Sequence, residues 1–171
     1  MAVDTETKWL TPQEQSDWRA WMAVSRMLPE ALDRDLRDHF EIGLGEYEIL
    51  VQLSESQEGR VRMADLAHAT FASRSKLTHQ ITRMERSGWV ARVRCETDHR
   101  GQWAVLTDSG WDLIHRAAPV HVRSVREHLV DVLGEDFAQL GGLCERVAEP
   151  LLAAGNTISA PLLPSPDKSA V

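Results

Sequence analysis

The chain has 171 residues, a formal net charge of −7 and 43% hydrophobic residues. This length can bury a substantial core in one domain, or in one domain with an elaborated dimerisation region, without help from disulfides or metals. The negative total charge argues against a general nucleic-acid coat, although an uneven charge distribution says more than the total. No apolar run approaches the roughly 18 residues that span a bilayer and no secretory leader opens the chain, so we expect a cytoplasmic protein.

The first predicted element is a helix that begins near Thr11. Thr11 is a plausible N-cap, with Pro12 in the first turn and Glu14 three residues on, as in a capping box. The helical pattern continues to about residue 40, but Pro29 lies inside it, so we expect the helix to kink or divide there. A turn at residues 42–46 then leads into a second short helix.

Two further predicted helices form a helix-turn-helix pattern. The third helix runs from about Met63 to Thr70, and Ser73 can cap the fourth. On the fourth helix Leu77, Ile81 and Met84 fall at i, i+4 and i+7, which places them on one buried stripe. The opposite face of this helix must then be polar and basic.

Two alternating strands follow, at residues 89–95 and 103–105, with a polar loop at residues 98–101 between them. This is the pattern of the wing in a winged helix. A long helical pattern over residues 108–133, interrupted by Pro119, and a last amphipathic helix at about residues 137–151 complete the chain. The predicted fold is therefore mainly α with a two-stranded β-wing: a winged helix-turn-helix lobe between N- and C-terminal helical regions.

Basic residues are concentrated on the proposed lobe. Residues 60–100 contain nine Lys/Arg and four Asp/Glu, a local charge of +5, while the other 130 residues carry −12. An acidic remainder repels phosphates and so helps to fix which face meets a duplex. Chance clustering on a solvated surface is the alternative.

The order of elements resembles the MarR family of bacterial winged-helix regulators over about residues 9–152. The segments that carry the resemblance are GLGEYEILVQL, RMADLAHAT, SRSKLTHQITRMERSGWVARV, TDHRGQWAVLTDSG and AAPVHVRSVREHL. The resemblance implies a cytoplasmic homodimer that reads a pseudo-palindrome of double-stranded DNA, with half-sites about 34 to 36 Å apart. It also implies repression of a gene and release by a small molecule.

These patterns divide the chain into five segments. They are a disordered N-terminus (1–8), an N-terminal dimerisation helix region (9–44), the DNA-binding lobe (45–107), C-terminal dimerisation helices (108–152) and a disordered tail (153–171).

The fourth helix is the predicted recognition helix, because hydroxyl groups, a histidine and cations suit base edges and phosphates. We predict base contacts from Arg74, Ser75, Thr78, His79 and Thr82, phosphate contacts from Lys76 and Arg83, and a capping role at the interface for Ser73. An ordinary solvated face is the alternative.

The predicted wing has a cation at its tip and contributes five residues to DNA binding: Arg92, Arg94, Asp98, His99 and Arg100. Arg100 can enter the minor groove, and Asp98 can pair with Arg92 or Arg94 to hold the loop. His99 between them can also touch a phosphate. A flexible hairpin whose arginine meets only solvent is the alternative.

An effector pocket is predicted from the resemblance near the first helix. Trp18 and Trp21 could form aromatic walls for a planar ligand, with Arg19 and His39 as anchors for an anionic group. Packing in a dimer core is the alternative for the tryptophans, and it is the stronger one.

The sequence predicts no cofactor and no metal site. His115, His121 and His128 are spaced six and seven residues apart, unlike the i, i+4 pair that binds zinc; a zinc site that joins His39 and His115 with other helices is the alternative. Cys95 and Cys144 form no CxxC pair, and we expect both to be buried.

Other functional classes remain as alternatives. A DNA-binding protein without a defined operator would be architectural, and a winged helix can also dock onto another protein. The chain has no phosphate loop and no nucleophile motif, so we do not expect an enzyme.

Overall fold

The computed structural model describes residues 7–70, 72–95 and 101–154. The helices are α1 (Pro12–Phe40), α2 (Leu44–Ser54), α3 (Met63–Ala69), α4 (Arg74–Arg86), α5 (Asp108–Val125), α6 (Asp131–Leu133) and α7 (Asp136–Ala153). The strands are β1 (Arg60–Arg62), β2 (Val90–Arg94) and β3 (Gln102–Leu106). The mainly helical winged-helix fold is thus confirmed. Within the described ranges, no helix combines the length and apolar character needed to cross a membrane.

Helix α1 begins and ends where the sequence predicts, and it is not divided. The Thr11 hydroxyl accepts from the Glu14 amide and the Glu14 carboxylate accepts from the Thr11 amide, which completes a capping box. Pro29 lies inside the helix and does not divide it. The second half is held by burial of Leu32 and Leu36 against the core, which offsets the one hydrogen bond that proline removes.

The helix-turn-helix forms from α3 and α4. The Ser73 hydroxyl accepts from the Lys76 amide and so caps α4 as predicted. Leu77, Ile81 and Met84 are almost completely buried, which confirms the predicted stripe. The chain leaves α4 through Gly88, whose φ of +77° is strained for any residue with a Cβ.

The sheet has three antiparallel strands in the order β1-β3-β2, one more than predicted. Strand β1 pairs with β3, with Val61 opposite Ala104. A three-residue strand with a single apolar residue between two arginines gives too short an alternation to be detected from the sequence. Its position at the edge brings two arginines to the base of the wing.

The hydrophobic core of the lobe lies between α2, α3, α4 and the sheet. Ile49, Leu50, Leu66 and Ala104 are wholly buried there and belong to one cluster with the stripe of α4. This cluster holds α2, α3, α4 and the sheet together, so it fixes the direction in which the outer face of α4 points.

Helix α5 starts from a tight junction with the wing. The Thr107 hydroxyl accepts from the Gly110 amide and donates to the Gly88 carbonyl at 2.6 Å. A Cβ on Gly110 would lie 2.1 Å from the Trp89 carbonyl oxygen, closer than any real contact. Glycine is therefore required where α5 crosses the start of β2.

The C-terminal region differs from the lobe because no residue of its last helix is buried. The predicted long helix comprises α5, a π-helical turn at Arg126–Val130 and α6, and ends at Gly134. The end of α5 and the π turn both contact α1. The Asp35 carboxylate accepts from Ser124 of α5 and lies 3.1 Å from His128 Nε2 of the π turn. Helix α7 follows and has no buried residue.

Candidate nucleic-acid interface

The outer face of α4 is polar, basic and accessible. The predicted contact residues on it are exposed, with Thr82 half-buried; they are Ser73, Arg74, Ser75, Lys76, Thr78, His79, Thr82 and Arg83. Arg74 and Lys76 form no ion pair with a carboxylate of the described ranges. Their charges are therefore available to an external anion.

The two threonines on this face have hydroxyl groups of fixed direction. Thr78 Oγ1 donates to the Arg74 carbonyl at 2.7 Å, and Thr82 Oγ1 donates to the Thr78 carbonyl at 2.8 Å. Because each proton points back into the helix, the outward side of Thr78 presents an acceptor lone pair and a methyl group. Such a surface can accept from an amino group on a base edge or pack on a thymine methyl.

Two of the predicted DNA-contacting arginines have partners within the chain. Arg83 Nη2 lies 2.6 Å from a carboxylate oxygen of Glu46, and Arg92 Nη1 lies 3.0 Å from one of Glu85. The partners are 37 and 7 residues away in sequence, so spacing along a helix gives no signal for them.

The wing was predicted to contribute five residues, of which two can be placed. Arg94 at the end of β2 is exposed, and Arg92 is half-buried against α4. Asp98, His99 and Arg100 lie outside the described residues, so their predicted roles remain predictions.

A groove of about 440 Å³ runs between α4 and the base of the wing. Arg62, Arg74 and Arg92 line it together with Thr78 and Gln102. Arg62, just before α3, was not among the predicted contacts. Its position in a basic segment, at the N-terminal end of a helix, could have identified it as a candidate. The groove extends the positive surface of α4 towards the wing.

The outer face of the sheet carries an aromatic side chain covered by cations. The guanidinium groups of Arg60 and Arg62 lie 5.2 and 4.9 Å from the centre of the Trp103 ring. Arg60 also forms an ion pair with Glu58 at 2.6 Å. The tryptophan fixes the directions of both arginines at the edge of the lobe.

A second concave site lies at the junction of α1, α2 and α5. The cavity measures about 370 Å³ and its lining is mostly apolar, with Leu32, Leu44, Val51 and Ala69 among the residues that form it. Its volume lies within the range of small-molecule sites.

Two aromatic residues, together with Glu48 and Gln52, give this cavity its polar groups. The rings of Tyr47 and His121 have centroids 4.3 Å apart. Burial raises the pKa of Tyr47 to about 12 and lowers the pKa of His121, so both are neutral at pH 7. The Nδ1 atom of His121 is buried and has no hydrogen-bond partner in the described residues. A ligand with one donor or acceptor could pair with it.

The residues predicted to form an effector pocket lie elsewhere. Trp18 and Trp21 are about half exposed on α1, Arg19 bonds to Gln15, and His39 Nδ1 contacts the Asp35 carbonyl at 2.7 Å. Within a single chain these four residues do not line the cavity of α1, α2 and α5.

The remaining predictions concern thiols and metals. Cys95 is buried as expected, and Arg62 Nη2 lies 3.5 Å from its sulfur. The expectation for Cys144 is wrong, because this cysteine is exposed on α7, a helix with no buried residue in the single chain. Across the described ranges, His, Cys, Asp and Glu form no group of three or more that could hold a metal ion.

Comparison with known proteins identifies the family. The model of the MarR family matches residues 42–101. AbsC, a MarR family transcriptional regulator from Streptomyces coelicolor, is 47% identical, with a TM-score of 0.80 over 86% of this chain and 99% of that one. Sco3205, a MarR family regulator from the same organism solved in complex with DNA, is 40% identical, with a TM-score of 0.81 over 86% and 93% of the two chains.

A relative known from its sequence agrees with this. The HTH-type transcriptional regulator PecS of Dickeya dadantii is 29% identical over 130 residues, which are 75% of this chain and 78% of that protein. The winged lobe, its basic recognition helix and these relatives have one consequence: the chain belongs to the MarR family of transcriptional regulators.

Proposed function

We propose that this regulator binds duplex DNA as a homodimer, reads a pseudo-palindromic operator and represses transcription from it until a small molecule releases it. The observation that carries the proposal is the exposed basic face of α4, continuous with a groove that Arg62 and Arg74 line. A surface of this kind matches the phosphate backbone and the base edges of a major groove. A dimer covering two successive major grooves would exclude polymerase from the same DNA.

Exposed apolar side chains support the dimer. Helix α7 leaves Leu143, Val147 and Leu151 about half exposed or more, and α1 does the same with Trp21 and Met27. Monomeric soluble proteins rarely expose large contiguous apolar patches, so exposed apolar side chains repeated along two helices favour a covering partner. We propose that residues 9–44 and 108–152 form the dimer region and that residues 45–107 form the DNA-binding lobe. Chromosomal DNA as the target makes the cytoplasm the proposed compartment.

The cavity between α1, α2 and α5 is the proposed effector site. It joins a helix of the proposed dimer region to a helix of the lobe, so a ligand that prefers one arrangement of the two would change DNA affinity by mass action. Its neutral tyrosine and histidine favour a small planar aromatic molecule with one hydrogen-bonding group. The carboxylate of Glu48 at the same site disfavours an anion.

Fluorescence anisotropy tests the proposed function. Purified protein is titrated with DNA from upstream of its own gene and with a scrambled duplex, at two salt concentrations, for the native chain and for Arg100→Ala. We expect tight, salt-dependent binding that prefers the native DNA by roughly 10³ or more and weakens in the variant.

Two other results would each favour a different function. Equal, weak binding to both duplexes would contradict a local operator and favour an architectural role. Absence of binding to either would favour a winged helix that docks onto a protein.

A further inference from the structure

One arginine of the wing strand is bonded to the recognition helix at several points. The Arg92 amide donates to Glu85 Oε1 at 3.0 Å, and its Nη1 lies 3.0 Å from Glu85 Oε2. Its Nη2 donates to the Thr78 carbonyl at 3.0 Å and to Thr82 Oγ1 at 2.9 Å. Arg92 therefore connects β2 to more than two turns of α4.

The other side of α4 is bonded to α2. Arg83 Nη2 pairs with Glu46 Oε1 at 2.6 Å, and Glu46 Oε2 accepts from the Gly43 amide at 3.0 Å, at the start of α2. The side chain of Glu46 is only 7% exposed. The two helices also approach closely at Gly45, where a Cβ would lie 2.5 Å from Gln80 Nε2.

Both bonded arginines are poor candidates for phosphate contact. If Arg83 turned to a phosphate, the buried carboxylate of Glu46 would lose its ion-pair partner, which is unfavourable. Each arginine is also neutralised by its carboxylate, so neither pair adds to the positive charge that phosphates meet. Arg74 and Lys76 form no such ion pair within the described ranges.

We propose that Arg83 and Arg92 are positioning residues, which hold the recognition helix between α2 and the wing and do not themselves contact DNA. Arg92 also occupies the Thr82 hydroxyl, so that base contacts come from the residues nearer the start of α4. This inference rests on the proposed function, in that the helix being positioned is the one that reads DNA.

Salt dependence separates positioning from phosphate contact. Each phosphate contact contributes about 0.9 to the slope of log Kd against log salt concentration. We expect Arg92→Ala and Glu85→Ala each to weaken binding to the native DNA by roughly tenfold with the slope unchanged, and the double variant to be no weaker than either. Lys76→Ala is the control, and its slope should fall by about 0.9.

The proposal is overturned if Arg92→Ala lowers the slope as Lys76→Ala does, or if the two single changes add. The same cycle on the second pair uses Glu46→Gln, which keeps the cap on Gly43, and Arg83→Gln. The half-exposed Glu85–Arg92 pair keeps the test decisive if a Glu46 variant fails to fold.

Amide exchange in the free protein tests the same inference without DNA. Exchange over residues 78–86 should increase equally in Arg92→Ala and Glu85→Ala and stay unchanged in Lys76→Ala. Unchanged exchange in the first two would contradict the positioning role. If the native protein binds no DNA selectively, the proposed function fails while this measurement still decides whether the two arginines hold the helix.

Discussion

The winged lobe buries its large apolar side chains, whereas the two helical ends of the chain leave many of theirs exposed. In the lobe, Leu50, Leu66 and Ile81 are wholly buried by other parts of the same chain. In the ends, Met27 is 65% exposed and Val147 is 63% exposed although both lie on well-formed helices. Contacts within one chain can therefore fold the lobe. The apolar side chains of the ends are left uncovered by the chain itself, as the proposed dimer region requires.

The largest expected effect is on the stability of the lobe. Leu50→Ala removes a wholly buried side chain and should lower the free energy of unfolding by about 2–5 kcal/mol. Denaturant titration measures this, and the change should not depend on protein concentration. Leu143→Ala on α7 is the comparison, and its effect on the midpoint should vary with protein concentration, as for a contact between chains. Equal, concentration-independent losses would remove the distinction between the two regions.

The next effect concerns the partner of the helical ends. Leu143→Asp with Val147→Asp places two carboxylates on the exposed apolar face of α7 and should dissociate the dimer. Light scattering after gel filtration would detect a monomer, and affinity for the native DNA should fall by about 100-fold because the two half-sites would be bound separately. Ala138→Asp, on the opposite face of α7, should leave both properties unchanged. A dimer that survives the double substitution would place the interface elsewhere.

A smaller effect is expected at the recognition helix. Arg74→Ala should weaken binding to the native DNA by roughly 1–3 kcal/mol, without changing the dimer or the stability of the lobe. Arg34→Ala, an exposed arginine of α1, has the same change in charge outside the lobe and should bind nearly as the native protein does. Anisotropy at fixed salt concentration measures both. Equal losses would mean that only total charge matters.

The smallest effect is a pH dependence at the junction of the two regions. Burial lowers the pKa of His121, so below the ordinary pKa of about 6.5 the unfolded chain takes up a proton that the folded chain refuses. This group therefore costs no stability above pH 6.5 and destabilises the fold as the pH falls below that value. Thermal unfolding of His121→Phe should depend less on pH between 7 and 5 than that of the native chain. An unchanged pH dependence would show that His121 does not contribute.

Local rules predicted much of the fold. The capping box at Thr11, the Ser73 cap and the stripe of Leu77, Ile81 and Met84 depend on residues at most seven positions apart, and all three are confirmed. Strand β1 was missed because three residues carry too little alternation. A kink or a division of α1 is expected at Pro29; the helix is not divided, because distant packing outweighs the local preference of proline.

The site was harder to predict, since its key contacts join distant residues. The partner of Arg83 lies 37 positions earlier, and the rings of Tyr47 and His121 meet from 74 positions apart. Composition identified arginines and tryptophans as candidates without indicating which of them have partners inside the chain. The predictions that Arg83 and Arg92 contact DNA, and that Trp18 and Trp21 line an effector pocket, therefore stay predictions.

The glycine at the start of α5 makes that helix behave as a rigid lever. Gly110 rests against the Trp89 carbonyl, so the first turn of α5 and the root of the wing can move only together. Helix α5 has 18 residues and extends about 27 Å. A tilt of roughly 5° about this pivot would carry the far end by about 2.4 Å over that length. Small displacements where the two chains meet would then reach the wing as a rotation, which makes the distance between two wings sensitive to how the chains are packed.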